Sequence, residues 1–147
     1  LIYSGTVSAA AEGALMGIPS IAISLASFKT DDYRASKTVA VEVAEYVLKN
    51  KMPKGTLLNV NVPYADPKDI KGKLITRQGS QYFMDEFEKR IDPRKNTYYW
   101  IKGKKVDNDN SIEYDGKAIQ NNYISITPIS FDLTNESYLN DLKKINE

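Results

Sequence analysis

Apolar and polar positions follow two different periods along this chain, and each change of period marks an element. After Ser4, the alanine run within residues 8–16 favours a helix, since alanine gives up the least conformational freedom there. The small residues Ala9, Ala10 and Gly13 permit close approach of a neighbouring element. Ser4 is of the N-cap type, Gly17 suits a left-handed stop, and Ile18-Pro19 cannot continue the helix. Residues 21–25 form a short, almost wholly apolar run, the pattern of a strand buried on both faces in a helix-covered parallel sheet. Asp31 or Asp32 can cap a second helix reaching about Asn50, with Val39, Val43, Tyr46 and Val47 at helical spacing on one face. Pro53 and Gly55 end it, and residues 57–62 read as a second strand stopped by Pro63. Helix, strand, helix, strand is the order of an α/β layer.

Beyond Pro67 the character changes. Residues 73–77 are strand-like, and residues 81–102 are dense in aromatics: Tyr82, Phe83, Phe87, Tyr98, Tyr99 and Trp100. Asp92-Pro93-Arg94-Lys95-Asn96 divides them, so the segment predicts a long β-hairpin turning around Pro93. Residues 107–111 are a polar loop, and residues 123–127 a last strand stopped by Pro128. A final helix, capped by Thr134 or Asn135, is expected over residues 136–145 with Tyr138, Leu139 and Leu142 on one side. The chain thus divides into an α/β core over residues 1–76 and, over residues 77–147, a hairpin arm, strand and helix suited to oligomerisation or segment exchange.

Composition narrows the chemistry. The 147 residues are 41% hydrophobic and 27% charged, which is ordinary for a globular protein. Twenty basic and 19 acidic side chains leave a net charge of +1, so no global field recruits nucleic acid or an anionic membrane. Without cysteine there is no disulfide and no thiolate metal site, which fits a reducing compartment. Without histidine, any catalysis by these residues rests on Asp, Glu, Lys, Tyr, Ser or Thr. No apolar run reaches membrane-spanning length. The sequence opens on Leu1 and runs straight into a helix start, which reads as part of a longer protein.

Candidate chemistry concentrates at that helix start. Ser4-Gly5-Thr6 offers two hydroxyls and a glycine where unpaired amides and the helix dipole converge, the makings of an anion site, though plain capping uses the same residues. Asn59 and Asn61 alternate within an apolar strand and so share a face, where they serve either a site in the sheet crevice or nearby loop backbone. The mixed charges from Asp85 to Arg90 read as a solvated face. The basic and aromatic residues Arg77, Arg90, Arg94, Lys95, Tyr98, Tyr99 and Trp100 have the makings of a clamp for single-stranded nucleic acid, but the abundant acids oppose it. Asp107, Asp109 and Asp115 lack the glycine and terminal glutamate of a calcium loop, so no metal is assigned there.

With these pieces in place, the sequence resembles the SurE (survival protein E) family. The resemblance rests on an ordered series: Tyr3-Ser4-Gly5-Thr6-Val7-Ser8-Ala9-Ala10-Ala11-Glu12-Gly13, then Gly17-Ile18-Pro19-Ser20-Ile21, then Leu58-Asn59-Val60-Asn61-Val62-Pro63, then Thr76-Arg77-Gln78-Gly79. It continues through Asp85-Glu86-Phe87-Glu88-Lys89-Arg90-Ile91-Asp92-Pro93-Arg94 to Ser125-Ile126-Thr127-Pro128 and Phe131-Asp132-Leu133-Thr134. It implies a Rossmann-like three-layer α/β core, here partial, with a protruding hairpin and a carboxy-terminal helix. It also implies a cytoplasmic metal-dependent 5′-nucleotidase, an acid-phosphatase-like hydrolase of nucleoside 5′- and 3′-monophosphates. Ser4, Gly5 and Thr6 then face the phosphate, with Asn59 and Asn61 behind them. One Mg²⁺ or Mn²⁺ per site is implied, with its ligands upstream of Leu1, so that this stretch alone is inactive. The resemblance further implies dimers or tetramers through the hairpin and final helix. Two other classes stand beside this one: a non-catalytic oligomerisation module, and a single-stranded nucleic-acid binder.

Overall fold

The computed structural model describes residues 3–28 and 32–146. Helix α1 (Gly5–Leu15) leads to strand β1 (Ser20–Leu25), helix α2 (Arg34–Lys49) and strand β2 (Thr56–Val62). A short edge strand β3 (Gly72–Ile75) follows, then the hairpin of β4 (Tyr82–Ile91) and β5 (Thr97–Val106). Helix α3 (Asp115–Gln120), strand β6 (Tyr123–Ser130) and helix α4 (Glu136–Leu142) complete the order. The core sheet runs β1-β2-β6-β3: β1 and β2 are parallel, and β6 enters antiparallel to β2 and parallel to β3.

Strand periodicity sorts the core into two halves. On one face Leu57 and Ala22 meet Val7, Ala10, Ala11 and Ala14 of α1, whose small side chains let the helix lie close. On the other, Val60, Val62 and Ile124 meet Val39, Val43 and Val47 of α2. Leu57, Val60 and Val62 are fully enclosed, each worth about 2 kcal/mol of apolar burial. Helix, sheet, helix gives the three layers of a Rossmann-like core.

Several expectations are corrected. Tyr46 is 62% exposed, because the buried stripe of α2 advances by four residues and leaves position 46 turned toward solvent. Asp31 lies outside the described residues. Asp32 is not the N-cap: Tyr33 holds that position without a side-chain bond, while Asp32 accepts from the Arg34 amide at 3.1 Å and pairs with its guanidinium. That pairing holds the Asp32 carboxyl down at about 2. Pro128 does not stop β6, which continues to Ser130; β3 pairs only as far as Ile126, so beyond it a residue without an N–H is tolerated on the open side. The hairpin runs on to Val106, with Lys95 at φ 71 in its turn. Asn135 rather than Thr134 caps α4, accepting from the Tyr138 amide at 3.0 Å, and a 3₁₀ turn follows.

Candidate functional site

The position of the α1 start follows from how its end is fixed. Gly17 takes φ 78, and the Ile18 amide returns to the Gly13 carbonyl at 2.9 Å, so the chain reverses sharply into β1. Gly13 sits so tightly on β1 that an added Cβ would collide with Ser20 Oγ. From this anchor the 11-residue helix climbs roughly 16 Å, about the length of β1. Its first turn therefore comes level with the carboxyl ends of β1 and β2, the edge at which open α/β sheets hold ligands.

That first turn is open. Ser4 Oγ accepts from the Val7 amide at 3.3 Å, and the Ser8 amide donates to the Ser4 carbonyl at 2.9 Å. The Gly5 and Thr6 amides and the Thr6 hydroxyl find no acceptor among the described residues. A Cβ built at Gly5 would meet nothing within 4 Å, and no acidic side chain occupies the first turn. With its own lone pair engaged by Val7, the Ser4 hydroxyl keeps its proton free to donate outward. Among the described residues, the turn is a cluster of donors without acceptors at the positive end of a helix.

Asn59 and Asn61 share the sheet face that α1 covers. Asn59 stands beside Ala22 and Thr127, and Asn61 beside Ser24 and Ser125. They belong to a polar band across an otherwise apolar face. Thr76 Oγ1 lies 2.8 Å from Ser125 Oγ and 2.7 Å from Thr127 Oγ1, all three hydroxyls being buried. Asn59 is 3% exposed, and its Oδ1 has no partner among the described residues. Asn61 is half-buried and opens into a cavity of about 250 Å³ beyond the end of β2. The structure thus gathers the two asparagines with Thr76, Ser125 and Thr127, which the sequence reading did not single out. Their alternation along β6 was the available signal.

The acidic loop has a mechanical role. Asp109 accepts from the Ser80 amide and hydroxyl at 2.8 and 2.7 Å, and Asp115 from the Gly79 amide at 3.0 Å. Asp107 gathers Lys117, Gln81 and Gln120. These carboxylates fasten the two feet of the hairpin to α3. Among the described residues no three acidic side chains converge to hold a metal, so the residues present do not fit the divalent cation that the resemblance implies.

The hairpin itself is solvated, with Glu88 paired to Arg90 at 3.2 Å and Arg90 stacked 5.0 Å from the Trp100 ring centre. Phe83, Phe87, Tyr99, Trp100 and Ile101 are all more than half exposed, and no described core helix or strand lies along its length. No described helix is long and apolar enough to cross a membrane.

A mixed sheet between helical layers, with an open helix start at the carboxyl edge of its parallel pair, defines a Rossmann-like α/β protein. The family model described as survival protein SurE matches residues 1–85, and the chain belongs to the SurE family. Among curated proteins it is 48% identical over 145 residues to a 5′-nucleotidase SurE of Syntrophomonas wolfei, covering 98% of this chain and 55% of that one. It is 46% identical to a 5′-nucleotidase SurE of Microcystis aeruginosa, covering 91% and 53%. The crystal structure of the SurE protein from Aquifex aeolicus superposes with a TM-score of 0.81 at 36% identity, covering 99% of this chain and 59% of that one. The chain spans about half the length of the curated relatives it matches.

Proposed function

We propose that the complete protein is a phosphomonoesterase acting on nucleoside 5′-monophosphates and on 3′-monophosphates, and that these residues form the phosphate-side half of its site. The relatives' name, 5′-nucleotidase, supports the reaction class. The observation that carries the reading for this chain is the start of α1, where the Gly5 and Thr6 donors meet no acceptor among the described residues and a Cβ at Gly5 would have open space.

In this reading the Gly5 and Thr6 amides, with the Ser4 and Thr6 hydroxyls, grip the phosphoryl oxygens. The helix end contributes a partial positive charge of roughly half a unit. Because α1 is clamped to β1 at Gly13, these donors are already aimed before the phosphoryl charge shifts, and no reorganisation accompanies the reaction. Asn59 and Asn61 support this edge from the sheet. A divalent cation, Mg²⁺ or Mn²⁺, belongs to the activity too. Its ligands come from outside these 147 residues, in the part of the relatives' length that the chain does not match.

The exposed aromatics of the hairpin and the apolar side of α4 face other copies of the protein, in a dimer or tetramer. Residues 77–147 then contribute assembly as well as the strand β6, which lies within the core sheet. Release of inorganic phosphate from nucleoside 5′-monophosphates by the complete protein, supplied with Mg²⁺ or Mn²⁺, tests the proposal. A purified, folded protein that releases none from any nucleotide would sink it.

A further inference from the structure

Resting on the reading above, we infer that the cavity beyond the carboxyl end of β2 takes the nucleobase of the substrate, with Asn61 and Gln81 reading the edge of the base. The cavity lies on the ligand edge of the sheet, between Ala26 at the end of β1 and Ile119 of α3. Its volume of about 250 Å³ suits one ring system rather than a whole nucleotide, being smaller than the roughly 300 Å³ at which ordinary small-molecule pockets begin. That size leaves the phosphate to the α1 start on the same edge.

The lining sets the class of ligand. Three carboxamides line it, and Asn61 has its donor and acceptor unengaged among the described residues. Gln81 and Gln120 each give one Nε2 hydrogen to Asp107 and keep a second hydrogen and the carbonyl oxygen, a donor and an acceptor as on the edge of a nucleobase. The charges of Lys105 and Asp115 oppose each other, so the cavity has no excess charge to favour a second anion. Gln81 is held in place beforehand. Its Nε2 donates to Asp107 Oδ2 at 2.8 Å, and its carboxamide lies against Gly116, where any Cβ would collide with it. The Asn61 amide and the Lys105 ammonium have no partner among the described residues, so both are available to a ligand. Ala26 and Ile119 supply apolar surface for the faces of the ring.

The test uses the complete protein with Mg²⁺ and compares wild type with Asn61→Leu, which keeps the volume, and Lys105→Met on the exposed hairpin. Two quantities are read: the ratio of kcat/KM for adenosine and guanosine 5′-monophosphates to that for 4-nitrophenyl phosphate, which has no base, and the Kd of adenosine by calorimetry. Loss of a donor–acceptor pair should lower the ratio and weaken adenosine binding by about ten-fold for Asn61→Leu, with a smaller shift in the same direction for Lys105→Met. A parallel fall for all the esters, or an unchanged ratio with unchanged adenosine affinity in both variants, overturns the assignment. Wild type that hydrolyses no ester at all sinks the phosphatase reading instead, and adenosine calorimetry on the variants then decides the cavity by itself.

Discussion

Gln81 and Asp107 meet across the base of the hairpin, Gln81 Nε2 donating to Asp107 Oδ2 at 2.8 Å. Lys117 Nζ and Gln120 Nε2 reach the same oxygen at 3.1 and 3.0 Å. One carboxylate therefore joins the foot of β4, the foot of β5 and helix α3.

This joint should be acid-sensitive. Burial pushes the Asp107 carboxyl up, but Lys117, the Asp109 amide and Gln120 outweigh it and hold it below its ordinary value. A group whose folded value is depressed contributes its stability above the unfolded value, near pH 4, and loses it as pH falls through the folded one. Hydrogen-exchange protection of the Ser80 and Asp109 amides should hold down to about pH 4 and drop below it. Asp107→Asn should show that drop already at neutral pH; unchanged protection would place the anchor of the hairpin elsewhere.

Capping and anion binding separate at neighbouring residues. Ser4→Ala removes the cap on the Val7 amide and should cost about 1 kcal/mol of stability in denaturant titration. Thr6→Val, at an exposed hydroxyl, should change stability by less than about 0.5 kcal/mol. Its kcat/KM for nucleotides should nevertheless fall roughly a hundred-fold. Wild-type kinetics in Thr6→Val would remove that hydroxyl from the site.

The buried hydroxyl cluster makes a different prediction from the apolar core beside it. Thr76→Val strips Ser125 and Thr127 of their shared partner and should cost about 1–3 kcal/mol. Leu57→Ala, at a fully enclosed side chain, should cost about 2–5 kcal/mol. If Thr76→Val were neutral or stabilising, the three hydroxyls would not form the network described.

Chelation should silence the complete enzyme, and added Mn²⁺ or Mg²⁺ should restore it. The circular dichroism of the folded protein should barely change, since no described residues form a metal cluster whose loss would unfold them. A cooperative loss of structure with chelator would mean that the cation is a folding element of this half.

Deleting residues 82–106 should leave the four-stranded sheet intact and lower the sedimentation coefficient by more than the lost mass explains. The hairpin lies along no described core element, so the core loses little by its removal. An unchanged oligomer would take the exposed aromatics out of assembly.

Local signals in the sequence were the ones that could be read. The cap at Ser4, the stop at Gly17 and the turn around Pro93 each depend on a few adjacent residues, and each stands where its pattern predicts. The shared face of Asn59 and Asn61 follows from the two-residue period of a strand. Their surroundings could not be read, because Thr76 reaches Ser125 and Thr127 across 49 and 51 positions of sequence. Helix α3 escaped notice because six residues starting Asp115-Gly116 are too few to show a period, and it is held by bonds from Asp115 and Asp107 rather than by propensity. Pro128 misled because its cost depends on whether a neighbouring strand extends that far.

The late arrival of β6 governs the order in which the molecule can be made. Residues 56–62 must wait for residues 123–130 before the sheet has its middle, while the hairpin between them closes from contacts near in sequence. During synthesis the ribosome therefore releases a finished, aromatic-studded hairpin before β6 has joined β2 and β3 in the core sheet. Until the last strand slots home, the nascent chain exposes both its interior and its adhesive surface, and a chaperone or a neighbouring nascent copy has its best opportunity in that interval.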